Sequence, residues 1–408
     1  MRKTEGGVTA AKGFLAAGVY AGIKNNKEKK DMAMVFSEKP CRTAGTFTTN
    51  LVKAAPVKWD QRIVKESAYS QAVVVNSGVA NACTGLMGFK HCEATAEKAG
   101  QLLGIPADAV LVASTGVIGK QLPINTILEG TALLKDSLKA TTEAGTLAAE
   151  AIMTTDTVSK QIAYEMELGG AKAVIGGMCK GSGMIHPNMA TMLCFITTDA
   201  AITKELLQEA LSEEVQDTFN MISVDRDTST NDTVLVMANG MAGNRGITQK
   251  DGDYRSFQEA LHEVMLYLCR QIAADGEGAT ALFEAKVIGA GTKEQAKILA
   301  KSVITSNLTK AMIFGHDANC GRVLCAMGYA GTPFDPDRTD LYFESAAGKL
   351  KVVENGMPTD YSEEKATQIL SEKEVTVIAD IKEGSAQATA WGCDLTYEYV
   401  KINGDYRS

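Results

Sequence analysis

Apolar residues recur at three- and four-residue spacing in "TKELLQEALSEEVQDTFN" (203–220) and "YRSFQEALHEVMLYLCRQIAADG" (254–276), which predicts two amphipathic helices. "HCEATAEKAGQLLG" (91–104) predicts a third, with Gly104 near its C-terminal end. "TTEAGTLAAEAIM" (141–153) and "TKEQAKILAKSVITS" (292–306) read the same way. Between them lie short β-rich runs. "MAMVFS" (32–37), "QAVVVNSG" (71–78) and "AVLVASTG" (109–116) predict strands, the last two ending in Ser/Gly turns. Near the end of the chain "LYFES", "EVTVIADI" and "DLTYEYVKI" all read as strands. The pattern is that of a mixed α/β chain with many turns. The stretch from about 285 to 408 is a candidate separate C-terminal lobe, although no Pro- or Ser-rich linker marks its border.

Composition narrows the function classes. With 408 residues, 45% apolar and 22% charged, the chain can bury a large core and build two lobes. The net charge of −8 and the brevity of the basic run "KNNKEKKD" (24–31) argue against a nucleic-acid partner. No apolar run approaches the roughly 20 residues that span a bilayer. "MRKTEGGVTAAKGF" lacks the apolar centre of a signal peptide. Nine scattered cysteines without a CxxC suggest a reducing compartment, so a cytoplasmic location is expected. GxSxG, P-loop and HExxH motifs are absent, and neither "GEG" (276–278) nor "GAG" (289–291) extends to GxGxxG. His91, His186, His262 and His316 lie far apart without ligand spacing. No metal or cofactor is expected.

The chemistry concentrates in "GSGMIHPNMATMLCFITTDA" (181–200), an irregular loop that runs into an apolar strand. A threonine hydroxyl is a weak nucleophile unless a base stands beside it, and one such base is the threonine's own α-amine, freed by cutting the preceding bond. That amine titrates near ~8 and can act as a general base near neutral pH. The hydroxyl of Thr191 can make the cut itself by attacking the Ala190 carbonyl, turning the amide into an ester that water hydrolyses. A small residue before the nucleophile and a loop that strains the scissile peptide both favour the step. Gly181, Gly183, Pro187 and Ala190 suit such a loop. An ordinary loop entering a buried strand would read alike.

"KGSGMIHPNMATML" decides between the two readings. It resembles the processing site of the ornithine acetyltransferase (glutamate N-acetyltransferase) family, close to KGxGMxxPxMATML. "GGVTAAKGF" (6–14), "VNSGVANACTG" (75–85), "ASTGVIG" (113–119), "IMTTDT" (152–157), "DGEGATALFE" (275–284), "GHDANCGRVL" (315–324) and the closing "YVKINGDYRS" resemble further landmarks of that family, in order and over nearly the whole chain. One departure is Cys320, where the family usually has tryptophan in an Asn-Trp-Gly-Arg segment; Asn319 and Arg322 receive no role.

The resemblance implies an α/β (α+β) fold with layered αββα arrangement, and two lobes with a cleft between them. It implies self-cleavage between Ala190 and Thr191 into an α chain (1–190) and a β chain (191–408), assembled as an α2β2 heterotetramer. Thr191 would be the nucleophile, receiving acetyl from N2-acetyl-L-ornithine and passing it to L-glutamate. Thr115 and Gly116 would form the oxyanion hole, and Thr154, Lys180, Thr191, Glu277, Asn403 and Ser408 would bind substrate. Lys180 can hold a carboxylate, and Glu277 an ammonium. Some family members also take acetyl from acetyl-CoA, and no residue here decides whether this chain does. Two other readings are an N-terminal-nucleophile amidohydrolase or aminopeptidase, which would release acetate or free amino acid, and a non-catalytic metabolite-binding protein.

Overall fold

The computed structural model describes residues 1–186 and 192–405. Among these residues the strands form two sheets. The first has nine strands, with neighbours in the order Arg2–Thr4, Lys160–Leu168, Ala171–Lys180, Leu193–Thr198, Thr233–Ala238, Met32–Phe47, Ser70–Val79 and Val110–Val117; Phe14–Val19 also pairs with Met32–Phe47. The long Met32–Phe47 strand serves two neighbourhoods. Its register breaks between Phe36 and Cys41. Residues before the break pair with Phe14–Val19 and Ser70–Val79, and residues 42–47 pair with Thr233–Ala238.

Side chains show how this sheet folds over on itself. In a strand, successive residues point to opposite faces. Leu193 and Phe195, with Leu235 and Met237, share an apolar cluster with Met34, Val73, Val75 and Val112 from the far half of the sheet. Cys194, Ile196, Val234 and Val236 face the other way, into a second cluster with helices Lys204–Glu214 and Gly252–Ala274. The helices Ala55–Glu66, Gly85–Leu103, Ile124–Ser137 and Thr142–Ala151 pack on the far half through Trp59, Ala96, Leu134 and Ala148. The layers therefore run helices, sheet, sheet, helices. Such burial is worth roughly 25 cal/mol per Å² of apolar surface removed from water.

The second sheet, of seven strands, is built mainly from residues 282–393 and takes its edge strand, Ile222–Ser223, from earlier in the chain. Its Phe283, Val287, Phe343 and Val377 belong to the same cluster as helix Gly252–Ala274. The helices expected at 91–104, 141–153, 203–220, 254–276 and 292–306 appear as Gly85–Leu103, Thr142–Ala151, Lys204–Glu214, Gly252–Ala274 and Lys293–Thr305. No helix among the described residues is long and apolar enough to cross a membrane.

One expectation is corrected. "DLTYEYVKI" was expected to be a strand, but Tyr397–Asp405 is a helix. The preceding strand, Ala386–Cys393, is already paired on both sides, with Leu282–Ala290 and Ile222–Ser223. Asp394 then accepts the N–H groups of Thr280 and Ala281 and the Thr280 hydroxyl, anchoring the chain where it leaves the sheet. Both sides of Ala386–Cys393 are therefore taken.

Candidate active site

Thr115 and Gly116 lie at the end of strand Val110–Val117. They sit opposite Ser77 and Gly78 of the parallel neighbour. Gly116 has φ +127°, and a Cβ there would run into the Gly78 backbone. Only glycine fits so close a backbone approach at this φ. Thr154 lies in the turn after helix Thr142–Ala151, and Lys180 ends strand Ala171–Lys180, opposite Leu193. Glu277 follows helix Gly252–Ala274, and Asn403 lies on the C-terminal helix.

These six residues line one cavity of about 330 Å³, together with Met192, Leu193 and the segment Ser229–Asp232. Of the sequence-derived site residues, the structure thus brings together Thr115, Gly116, Thr154, Lys180, Glu277 and Asn403. Ala190, Thr191 and Ser408 lie outside the described residues.

A buried ionic web supports the cavity wall. Asp156 accepts from Lys160 Nζ at 2.8 Å and from the N–H of Gly181 at 2.6 Å through Oδ1. Through Oδ2 it accepts from the N–H of Thr154 at 3.0 Å and faces Lys180 Nζ at 3.7 Å. Lys160 also donates to Asp275 Oδ2 at 2.5 Å, and Asp275 in turn receives the Thr157 N–H at 3.1 Å. Burial opposes the charge on Asp156, but Lys180 and Lys160 outweigh it and hold the carboxyl well below the usual carboxylate range. For Lys160, burial is likewise outweighed, by Asp156 and Asp275, so its pKa is raised. The web fixes two cavity-lining residues, Thr154 and Lys180, through one carboxylate.

On the other side, Asn403 Nδ2 donates to Glu277 Oε2 at 2.8 Å. The Glu277 N–H donates to Ser182 O at 3.0 Å, and the Ser182 hydroxyl to Asp275 O at 2.6 Å. Asp225 receives the N–H groups of Met184 and Ile185 at 2.6 and 2.8 Å. Met184 is held at φ +55°, a left-handed conformation that a non-glycine residue adopts at a cost on the order of 1 kcal/mol or more. His186 Nδ1 meets the Ser223 hydroxyl at 3.0 Å, and burial, with Lys301 and Arg226 adding to it, lowers its pKa to about 4.

A model of the ArgJ family matches residues 15–408. The chain belongs to the ArgJ family. Family members named arginine biosynthesis bifunctional protein ArgJ include that of Symbiobacterium thermophilum, 53% identical over 404 residues and covering 99% of both chains. The one from Thermotoga neapolitana is 50% identical over 398 residues, covering 97% of this chain and 99% of its own. Among solved structures, the ornithine acetyltransferase of Mycobacterium tuberculosis, complexed with ornithine, is 43% identical with a TM-score of 0.41, covering 45% of this chain and 96% of its own.

Asp156, Asp275, Ser182, Asp225 and Asn231 carried no sequence-derived role. "TTDT" contains Asp156, but a single carboxylate in a turn does not announce the two lysines that fold against it. In the segment "HDANCGR", Asn319 caps helix Cys320–Gly328 by accepting the Arg322 N–H at 3.3 Å, while Arg322 Nη1 donates to Leu308 O at 3.0 Å. Cys320 is half-buried against the core.

Proposed function

We propose that this cavity moves an acetyl group from N2-acetyl-L-ornithine to L-glutamate within arginine biosynthesis, with Thr191 as nucleophile after cleavage of the Ala190–Thr191 bond. The supporting observation is the convergence, on one cavity beside the start of strand Leu193–Thr198, of Thr115, Gly116, Thr154, Lys180, Glu277 and Asn403.

In this mechanism the Thr191 hydroxyl adds to the acetyl carbonyl carbon while its proton passes to the free α-amine. The tetrahedral oxyanion is received by the Thr115 hydroxyl and the Gly116 N–H. Two donors aimed at that oxygen typically contribute a few kcal/mol each to lowering the barrier. The C–N bond to ornithine breaks, its amine takes the proton, and an acetyl-threonine ester remains. Glutamate then attacks the ester through its amine, restoring the threonine hydroxyl and leaving as N-acetylglutamate. A covalent intermediate divides one difficult transfer into two easier ones. Lys180 holds the shared α-carboxylate, and Glu277, oriented by Asn403, meets cationic groups of the substrate. Acetyl-CoA is a second acetyl donor in this reading. The working form is an α2β2 assembly in the cytoplasm.

A denaturing gel and a transfer assay test the proposal together. The 43.3 kDa chain should run as fragments of about 20 and 23 kDa, in proportion to 190 and 218 residues. Thr191→Ala should remain one band and transfer no acetyl group. A wild-type protein that stays in one piece yet transfers acetyl would overturn the role of Thr191. Release of acetate without glutamate would mark a hydrolase instead.

A further inference from the structure

We propose that Asn231 is a positioning residue of the reaction centre, holding the Thr115–Gly116 turn at a fixed distance from the start of strand Leu193–Thr198. The inference rests on the roles proposed above for Thr115, Gly116 and Thr191.

Asn231 is buried, with 7% of its surface exposed. Its Nδ2 donates to Ala80 O at 2.6 Å and to Ser114 O at 2.8 Å. Ala80 follows the last residue of strand Ser70–Val79, and Ser114 directly precedes Thr115. Both amide hydrogens therefore end on the two strands whose tips form the oxyanion turn. Its Oδ1 accepts from the Thr230 hydroxyl at 2.6 Å, and its own N–H donates to the Ser229 hydroxyl at 3.2 Å. Both amide hydrogens and the oxygen of the side chain are thus engaged, which sets its orientation.

Two residues further on, the Thr233 N–H donates to Met192 O at 2.8 Å, and Thr233 pairs in parallel with Leu193. One short segment, 231–233, grips the oxyanion turn with a side chain and the strand that follows Thr191 with its backbone. Asn76 makes a comparable pair of bonds, accepting from the Ser114 hydroxyl at 2.6 Å and donating to Val79 O at 2.8 Å, but both stay within the turn's own strands. Asn231 instead crosses between the two halves of the folded sheet. Acyl transfer is sensitive to displacements of about 1 Å between nucleophile and stabilising donors. A clasp across that gap therefore acts on kcat more than on substrate affinity, and it acts on self-cleavage as well, which uses the same hydroxyl.

The test uses full-length protein carrying Asn231→Ala, Thr115→Val or both, with measurements of self-cleavage rate, kcat, KM and Tm. For Asn231→Ala, kcat should fall about 10- to 100-fold, with KM within about threefold of wild type and cleavage slowed. The double variant should lose less than the product of the single losses, because both changes act on one donor. A fall in Tm with kcat near wild type, a rise in KM in place of the fall in kcat, or a double loss equal to the product would each overturn the inference. Should Asn231→Ala fail to fold, Asn231→Ser, which retains one donor, should show an intermediate kcat loss; wild-type kcat in that variant would overturn it equally. Thr115→Val alone separates the levels. If it leaves kcat intact, the oxyanion assignment fails and takes the inference with it. If it is impaired while Asn231→Ala is not, the inference alone fails.

Discussion

Asn403 Nδ2 donates to Glu277 Oε2 at 2.8 Å, so the C-terminal helix reaches across to a carboxylate of the cavity lined by Thr115, Lys180 and Met192. Asn403 also donates to Tyr399 O one turn back, at 3.0 Å, which fixes its direction. A hydrogen bond to a charged group is worth about 1.5–3 kcal/mol. Asn403→Ala should therefore raise KM for the ornithine-type donor about tenfold, with a smaller effect on kcat. Steady-state kinetics with KM unchanged would remove Asn403 from substrate binding.

Gly183 gives an independent route to the same carboxylate. A Cβ at this position would run into the Glu277 carboxyl group. The side chain can swing away, so Gly183→Ala should fold normally. Glu277 would then be displaced from its place against Asn403, and KM should rise on the order of fivefold. Wild-type KM in this variant would mean that Glu277 needs no fixed position.

The Asp156 web should be costly to break. Asp156→Asn leaves Lys180 without its buried counter-charge and Lys160 with Asp275 alone, and removing one partner of such a group typically costs about 3–5 kcal/mol. Urea unfolding at neutral pH should show this loss. Because the folded carboxyl is held below its ordinary value, its contribution is complete above about pH 4 and is lost as the pH falls further toward its folded value. Wild-type stability should therefore decline in acid with a component that Asp156→Asn lacks. Parallel pH curves for the two proteins would refute the assignment.

At the Thr115–Gly116 turn, Thr115→Val keeps the shape and removes the hydroxyl, so with the oxyanion role proposed above kcat should drop about 10²–10³-fold with little change in Tm. Gly116→Ala forces a Cβ against Gly78 at a φ of +127°. It should lose activity and on the order of 1–3 kcal/mol of stability as well. A Gly116→Ala protein as stable as wild type would mean that the two strand tips can part at little cost.

Local pattern was enough for elements whose periodicity is set by one buried face, such as helix Gly252–Ala274, with Phe257, Leu261, Val264 and Leu268 on its inner side. It failed at Tyr397–Asp405, where aromatic and β-branched residues favour a strand but the strand just before it, Ala386–Cys393, is already paired on both sides. Short helices such as Asn307–Phe314 and Cys320–Gly328, capped by the side chains of Ser306 and Asn319, are too brief for periodicity to show. Thr115, Gly116, Thr154, Lys180, Glu277 and Asn403 were named through motif resemblance, because residues this far apart in sequence carry no local sign of meeting. Asn231 stayed hidden for a related reason. In "TSTNDT" it is one polar residue among six, and its partners lie more than a hundred residues away or across the fold of the sheet.

Strand Leu193–Thr198 lies between Ala171–Lys180 on one side and Thr233–Ala238 on the other, and the latter pairs in turn with residues 42–47. A cut after Ala190 therefore separates two polypeptides without separating two bodies. Each fragment supplies strands that the other needs to complete its ladder, so neither is a domain that could survive alone. Under the proposed cleavage, dilution should not part them, and denatured fragments mixed together would face a bimolecular search that a chain folding before the cut never meets.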